Sequence, residues 1–352
     1  MRFVLFYLSF YIFCSSGLFC VETKTDSPRV PFIPDQRPPA TILGGTFYEK
    51  GNWALSIQYS QINLLGLRKG TDPIDVIQLK NQFDLIPISQ VKEEYGLELL
   101  SGFSERMTFF LYAPYVQNTL MAWAKNPNFE DGYEQVTQTS KGVGDFQMGL
   151  IYDAVPTRNW DVHLHYTISF PTADFNQAST IGLLGRKILP YGMQLGSGTI
   201  DMKPGLSIVR YWRSWRFGHH SAATFRYDQN DKGYALGPDY KSSLWVSKSW
   251  TPYWSTAFRI SGSYLSGIVG SHADIDADLS PDTAASSVGY KRVNMGVSSN
   301  FVFNFWKFKG VSCDIEYLRP SYQNMAGIQL HLEDQFLFAL RLDGGLNLGK
   351  RK

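Results

Sequence analysis

The chain has 352 residues, 33 basic against 31 acidic, for a formal charge of +2. That length excludes a small disulfide-stapled scaffold, and the near-neutral balance supplies no field that would draw the chain to nucleic acid. Aromatic residues make up 15% of the sequence and charged residues 18%, which excludes a disordered chain, because such chains carry too little apolar surface to bury.

Arg2, the apolar run Phe3 to Phe13 and the small residues Cys14, Ser15, Ser16 and Gly17 follow the three-part pattern of an export signal. The signal is assigned to residues 1–20. The apolar run is shorter than the ~20 residues of a membrane-spanning helix, and bulky Phe19 before Cys20 argues against a lipid-modified cysteine. Residues 21–45 hold Pro28, Pro31, Pro34, Pro38 and Pro39 and read as an extended arm. Cys14 and Cys20 fall at the exported segment, so Cys313 stands alone and no disulfide framework or zinc motif is available. No cofactor is implied. No later stretch stays apolar for the ~18 residues of a transmembrane helix.

From Trp53 onward the hydrophobic period is two, and an all-β domain over residues 46–352 is expected. In WDVHLHYTISF, Trp160, Val162, Leu164, Tyr166, Ile168 and Phe170 alternate with Asp161, His163, His165, Thr167 and Ser169. GDFQMGLIYD and WSTAFRISGSY repeat the split. The pattern predicts about twelve strands, near 53–66, 89–103, 107–121, 142–155, 160–172, 199–212, 216–228, 238–250, 254–268, 290–305, 311–322 and 330–346. Short links such as SERM (104–107), RSW (213–215) and TPY (251–253) alternate with long ones near 67–88, 122–141, 173–198 and 269–289. Short turns at one end and longer loops at the other predict an antiparallel transmembrane β-barrel of the bacterial outer membrane, with both chain ends on the periplasmic, short-turn side.

Hydrocarbon offers backbone N–H and C=O groups no partners, so a sheet entering it must close and abolish its edges. Trp53, Trp160, Trp212, Trp250 and Trp254 lie near predicted strand ends and are expected to form an interfacial girdle. A soluble β-sandwich with tryptophans in its core is the alternative for the same pattern.

The segments GVGDFQMGLIYD, LPYGMQLGSGTIDMKPGLS, DQNDKGYALGPDYKSSLWVSKSW and APYVQNTLMAW resemble the outer-membrane barrel family labelled for the MetA-pathway of phenol degradation, in its transporter branch. The resemblance spans roughly residues 46 to 346. It implies a channel or transporter whose substrate is undefined: an aromatic or other organic solute, or a metal ion. Members usually end on an aromatic residue that assists the barrel-assembly machinery, whereas the last strand here, FLFALRLDGGLNL, is followed by further residues. Members of the branch are often methionine-rich near the first strands; here Met107 and Met121 are isolated.

The wet faces carry both signs of charge. Asp145, Asp161, His163, His165, Asp201, Lys203, Arg226, Arg259, Arg292 and Glu316 are the candidate pore-lining residues. His163 and His165, two apart on one strand, are candidate metal ligands, as are Asp274, Asp276 and Asp278 in a predicted external loop. Each set also reads as ordinary polar lining or a solvated acidic loop. Gly196, Ser197 and Gly198 look like a phosphate cradle, but TIDMKPGLSIVRYW alternates as a strand, so no helix N-terminus follows and a loop-to-strand bend is expected. Ser261 and His163 share the wet face without a GxSxG elbow or an ordered triad, and no catalytic residues are assigned. The expected function is passive diffusion of a small solute through the lumen, with membrane lipid, the assembly machinery and the solute as partners and no nucleic acid. A structural or surface-binding barrel with a closed lumen is the second reading, and an outer-membrane hydrolase the third.

Overall fold

The alternation in WDVHLHYTISF is realised as a strand, and the chain on either side follows the same rule. The computed structural model describes residue 39 and residues 45–345, apart from 156, 158, 306 and 307. The export signal and, save Pro39 and Gly45, the arm lie outside the described residues.

Twelve strand elements carry the architecture: β1 (Asn52–Gly70), β2 (Leu85–Ser104), β3 (Met107–Lys125), β4 (Tyr133–Val143), β5 (Phe146–Asp153), β6 (Trp160–Phe170), β7 (Asp201–Trp212), β8 (Trp215–Arg226), β9 (Asp239–Thr251), β10 (Trp254–Leu265), β11 (Tyr290–Phe305) and β12 (Phe308–Gly345). Neighbours pair antiparallel, and β12 returns to β1, so the sheet closes. Eleven elements form the circuit, while β4 pairs with the upper part of β3 outside it. The 38 residues of β12 would span about 125 Å if straight. Instead the element folds back: Tyr290 of β11 pairs with Met325, and β1 takes the residues from Met325 to Gly345. The two limbs meet where Gln323 Nε2 donates to Leu332 O at 2.8 Å and Leu332 N donates to Gln323 Oε1 at 2.9 Å. Counted by limbs the circuit has twelve strands, and an even number is what all-antiparallel closure requires.

The expected long loop near 122–141 is corrected by the structure, because residues 133–143 form β4. Tyr115 lies opposite Val143, and Tyr112 lies opposite Gln147. β4 and β5 are therefore one strand interrupted at Gly144 and Asp145. The interruption faces Pro114 of β3, which has no N–H to give the ladder; its carbonyl still accepts Gly144 N–H at 2.9 Å.

Turns at one end are short, as at 213–214 and 252–253, while the other end carries 71–84, 126–132, 171–200, 227–238 and 266–289. The apolar face of each strand points outward. Ile57, Leu244 and Val297 are 62%, 60% and 57% exposed, whereas their polar neighbours Ser56, Gln58 and Ser243 are buried inside. A soluble sandwich buries those apolar residues, so that alternative is excluded by the direction of the side chains. Among the described residues no helix is long and apolar enough to cross a membrane, and the crossing is made by strands.

The membrane's position can be read from the outward face. Tyr59, Tyr95 and Tyr115 lie on one rung across β1, β2 and β3, and polar Gln61, Glu93 and Gln117 follow two residues further along. Tryptophans 53, 160, 212, 250 and 254 are exposed at the short-turn end, as the girdle expectation requires. A tilted strand crosses with ~9–11 residues. β7 and β8 have 12 residues each, whereas β1, β2 and β3 have 19 or 20. One wall thus rises past the tyrosine rung into water. β4 pairs only with the part of β3 from Tyr115 upward, so its unladdered edge lies where water can satisfy it.

Candidate functional site: a lumen closed at both ends

At the short-turn end the residues just before β1 lie against the inner wall. Tyr48, just before β1, packs with Ala54, Leu100, Phe110, Tyr112 and Ile151 on the inner wall. Its N–H donates to Thr108 Oγ1 at 2.8 Å, its C=O accepts the Thr108 hydroxyl at 2.8 Å, and its phenol donates to Asp343 Oδ1 at 2.6 Å. Phe47 lies 5.5 Å from the His163 ring. Gly102 is required beneath this segment, because a Cβ there would collide with the carbonyl oxygens of Tyr48 and Glu49.

Elsewhere on the inner wall charges of opposite sign lie against one another, from Glu98 toward the short-turn end to Asp201 at the long-loop end. Glu98 Oε2 accepts from Ser56 Oγ at 2.7 Å, Gln58 Nε2 at 3.1 Å and Arg341 Nη2 at 3.1 Å. Arg259 Nε lies 3.1 Å from Glu316 Oε1, with the Glu316 side chain wholly buried, and Arg226 Nε lies 3.2 Å from Asp201 Oδ2. In a low-dielectric interior a lone charge is expensive, so pairing is what lets both signs persist here.

At the long-loop end, 171–200 turns inward. Leu189 and Met193 enter a cluster with Leu67, Ile86, Leu120 and Leu330 of the strands and Leu79 of the 71–84 loop. Ser140 Oγ donates to Met193 O at 2.5 Å, and Lys92 Nζ donates to Gly192 O at 2.8 Å. The loop 266–289 closes over it. His272 N–H donates to Tyr191 OH at 3.0 Å, and its Nε2 faces Asn176 Oδ1 at 3.0 Å. Leu279 accepts Leu85 N–H at 2.8 Å and packs with Leu85, Ala122, Ala124 and Ile181. Tyr191, Tyr234 and Ile275 form a further apolar knot between three loops. The long-loop end therefore combines apolar clusters with charged groups, among them Lys92 at Gly192 and the Asp201–Arg226 pair where β7 and β8 meet the loops.

The predicted lining residues fall on the inner side but differ in role. Asp145, in the strand interruption, accepts Ala173 N–H at 3.1 Å and Ser197 N–H at 2.8 Å. It holds both ends of the inward loop. Gly196 sits against that carboxylate, where a side chain would collide with it, so the glycines at 196 and 198 serve close approach and β7 begins at Asp201. Asp161 accepts from Tyr211, Asp201 pairs with Arg226, and Glu316 pairs with Arg259. Lys203 forms no ion pair among the described residues, and Arg292 lies over the Tyr290 ring at 4.2 Å. His165 stacks on His220 at 5.0 Å, and His220 Nδ1 meets Ser207 Oγ at 2.7 Å.

The metal candidates do not converge. Among the described residues no three His, Cys, Asp or Glu side chains are placed to hold an ion. The His165 and His220 rings are parallel within 6°, so they stack face to face instead of aiming nitrogens at a common point. Asp274 turns to Lys232 at 3.8 Å, and Asp276 accepts Asp278 N–H at 3.1 Å. Ser261 and His163 are four strand spacings apart through Ser243, His220 and Ser207, roughly 19 Å. The structure does not bring them together. Tyr48, Leu189 and Met193 are not among the sequence candidates, because no periodic signal marks loop residues that fold inward.

A closed antiparallel barrel, apolar outside, charged within, with short turns at one end and long loops at the other, is an outer-membrane β-barrel. No protein-family model and no curated sequence relative matches the chain. Its fold is similar to that of the COG4313 outer membrane channel from Pseudomonas putida F1, with a TM-score of 0.58 and 12% identity over 87% of this chain and 98% of that one. A Pseudomonas aeruginosa FadL homologue is matched at a TM-score of 0.39 and 9% identity over 85% of this chain and 91% of that one, too distant to carry an argument.

Proposed function

We propose that the protein is an outer-membrane channel that passes small solutes by diffusion and rests closed. The carrying observation is that the chain's own segments pack inside the barrel at both ends, Leu189 and Met193 in an apolar cluster at the long-loop end and Tyr48 against the inner wall at the short-turn end. A solute entering from outside must replace Leu189 and Met193 against an apolar wall, which favours an apolar or aromatic molecule over a sugar of the same size. The likeness to the COG4313 channel and the resemblance to the MetA-pathway family support this reading. Liposomes bearing the protein test it: faster entry of an aromatic solute such as phenol derivatives in excess of their protein-free leak, with arabinose entry lower, is expected. Equal, protein-independent entry of both overturns the reading.

A further inference from the structure

The lipid-facing wall of β7 to β11 carries a feature that plays no part in the lumen. Residues 206–227 and 242–273 include no aspartate or glutamate. At the short-turn end of this wall, Arg210, Lys248 and the exposed turn residue Arg213 stand among tryptophans. The Arg210 guanidinium lies 5.2 Å from the Trp160 ring centre. Lys248 Nζ lies 5.0 Å from that of Trp215 and 4.2 Å from that of Trp250, and Arg213 is 5.9 Å from that of Trp212. Register makes the set continuous: Trp160 pairs with Arg210, Trp212 with Trp215, and Trp215 with Lys248. Arg210 and Lys248 are thus about 10 Å apart across the sheet and about 7 Å along it.

Among the described residues none of these three cations forms an ion pair or hydrogen bond. Arg213 holds φ at 54°, a left-handed conformation that disfavours every side chain compared with glycine. The buried Arg216 fixes that turn by donating to Arg213 O at 3.0 Å and Trp215 O at 2.8 Å. Trp250 and Trp254 donate their indole N–H to Thr256 and Ser299 at 2.9 and 2.8 Å. Trp160, Trp212 and Trp215 have no such acceptor among the described residues, so their donors remain for groups outside the protein. Cations laid over aromatic faces at the membrane interface, with free indole donors and no local carboxylate, suit a phosphodiester anchored by acyl chains. A zwitterionic headgroup brings its own ammonium, which these cations repel; an anionic one does not.

We propose that this stripe binds anionic glycerophospholipids of the periplasmic leaflet, with the headgroup phosphate held by Arg210, Arg213 and Lys248 and the glycerol backbone by the tryptophans. The test uses the full-length protein in phosphatidylcholine vesicles. Tryptophan quenching by phosphatidylglycerol with brominated acyl chains is compared with quenching by equally brominated phosphatidylcholine. A preference for phosphatidylglycerol of about fivefold is expected, the worth of one cation near a membrane surface. The triple variant R210Q/R213Q/K248Q keeps every tryptophan and is expected to fall to parity, with heat-modifiable gel migration unchanged. Parity in the unmodified protein, or a preference that survives in the variant, overturns the proposal. If the triple variant fails to fold, the unmodified protein in 1 M salt, where the screening length is about 3 Å, takes its place: loss of the preference supports the site and retention overturns it.

Discussion

Glu316 has no exposed side-chain surface and lies 3.1 Å from the Arg259 guanidinium. Replacing one member of such a pair strands the other charge, so Glu316→Gln is expected to lower stability by roughly 3 kcal/mol. Urea unfolding in detergent micelles reads this directly, and an unchanged midpoint contradicts the assigned pairing. Tyr48 ties the segment before β1 to Asp343 of β12, the strand beside β1; Tyr48→Ala removes the ring and its hydrogen bond and is expected to raise bilayer conductance severalfold at constant fold. At this scale the sequence is legible wherever alternation governs direction. Asp161, His163, His165, Asp201 and Glu316 turn inward because period two leaves no other choice. The role of Asp145 is not legible, because its partners Ala173 and Ser197 lie 28 and 52 residues away and no local pattern announces contacts of that separation.

Among the elements, the loops 171–200 and 266–289 hold each other through His272. Its Nδ1 accepts Asp274 N–H at 3.1 Å while Nε2 faces Asn176, an arrangement that needs a neutral ring. Burial pushes the His272 imidazole below its ordinary value; Asp274 opposes that and Lys232 adds to it. An imidazole released from the lock titrates near 6.5. Closure is thus strongest above about that pH and weakens as pH falls toward the lower value of the locked state. Open probability in planar bilayers is expected to rise between pH 7.5 and 5, and His272→Ala to flatten the dependence. A pH-independent unmodified protein contradicts this lock. Asp282, in the same loop, is shifted the other way, its carboxyl raised by burial with Lys92 opposing, so acid also neutralises a charge inside the mouth. Strand positions follow alternation well, yet β1, β2 and β3 run past the ends that alternation marks. Above the tyrosine rung their outward side is polar and their inward side apolar, which inverts the pattern used to find them. β4 carries no such signal for the same reason: YEQVTQTSKGV pairs in water and shows no lipid-facing apolar row.

For the whole molecule, closure of the sheet and apolar residues facing outward are two faces of one requirement, that no backbone group meets hydrocarbon unpaired. Twelve limbs, long loops on one side and the tryptophan girdle follow from it and were legible. The filled lumen was not, because a barrel of this size can stand open or blocked with the same wall sequence, and the difference lies in loops and in the residues before β1. The account therefore turns on whether the closed lumen is a resting channel or a permanent filling. Single-channel recording of the unmodified protein beside Tyr48→Ala decides this most directly. Sparse, brief openings in the former and longer, larger ones in the latter are predicted. Discrete conductance absent from both, with both correctly folded, contradicts the channel.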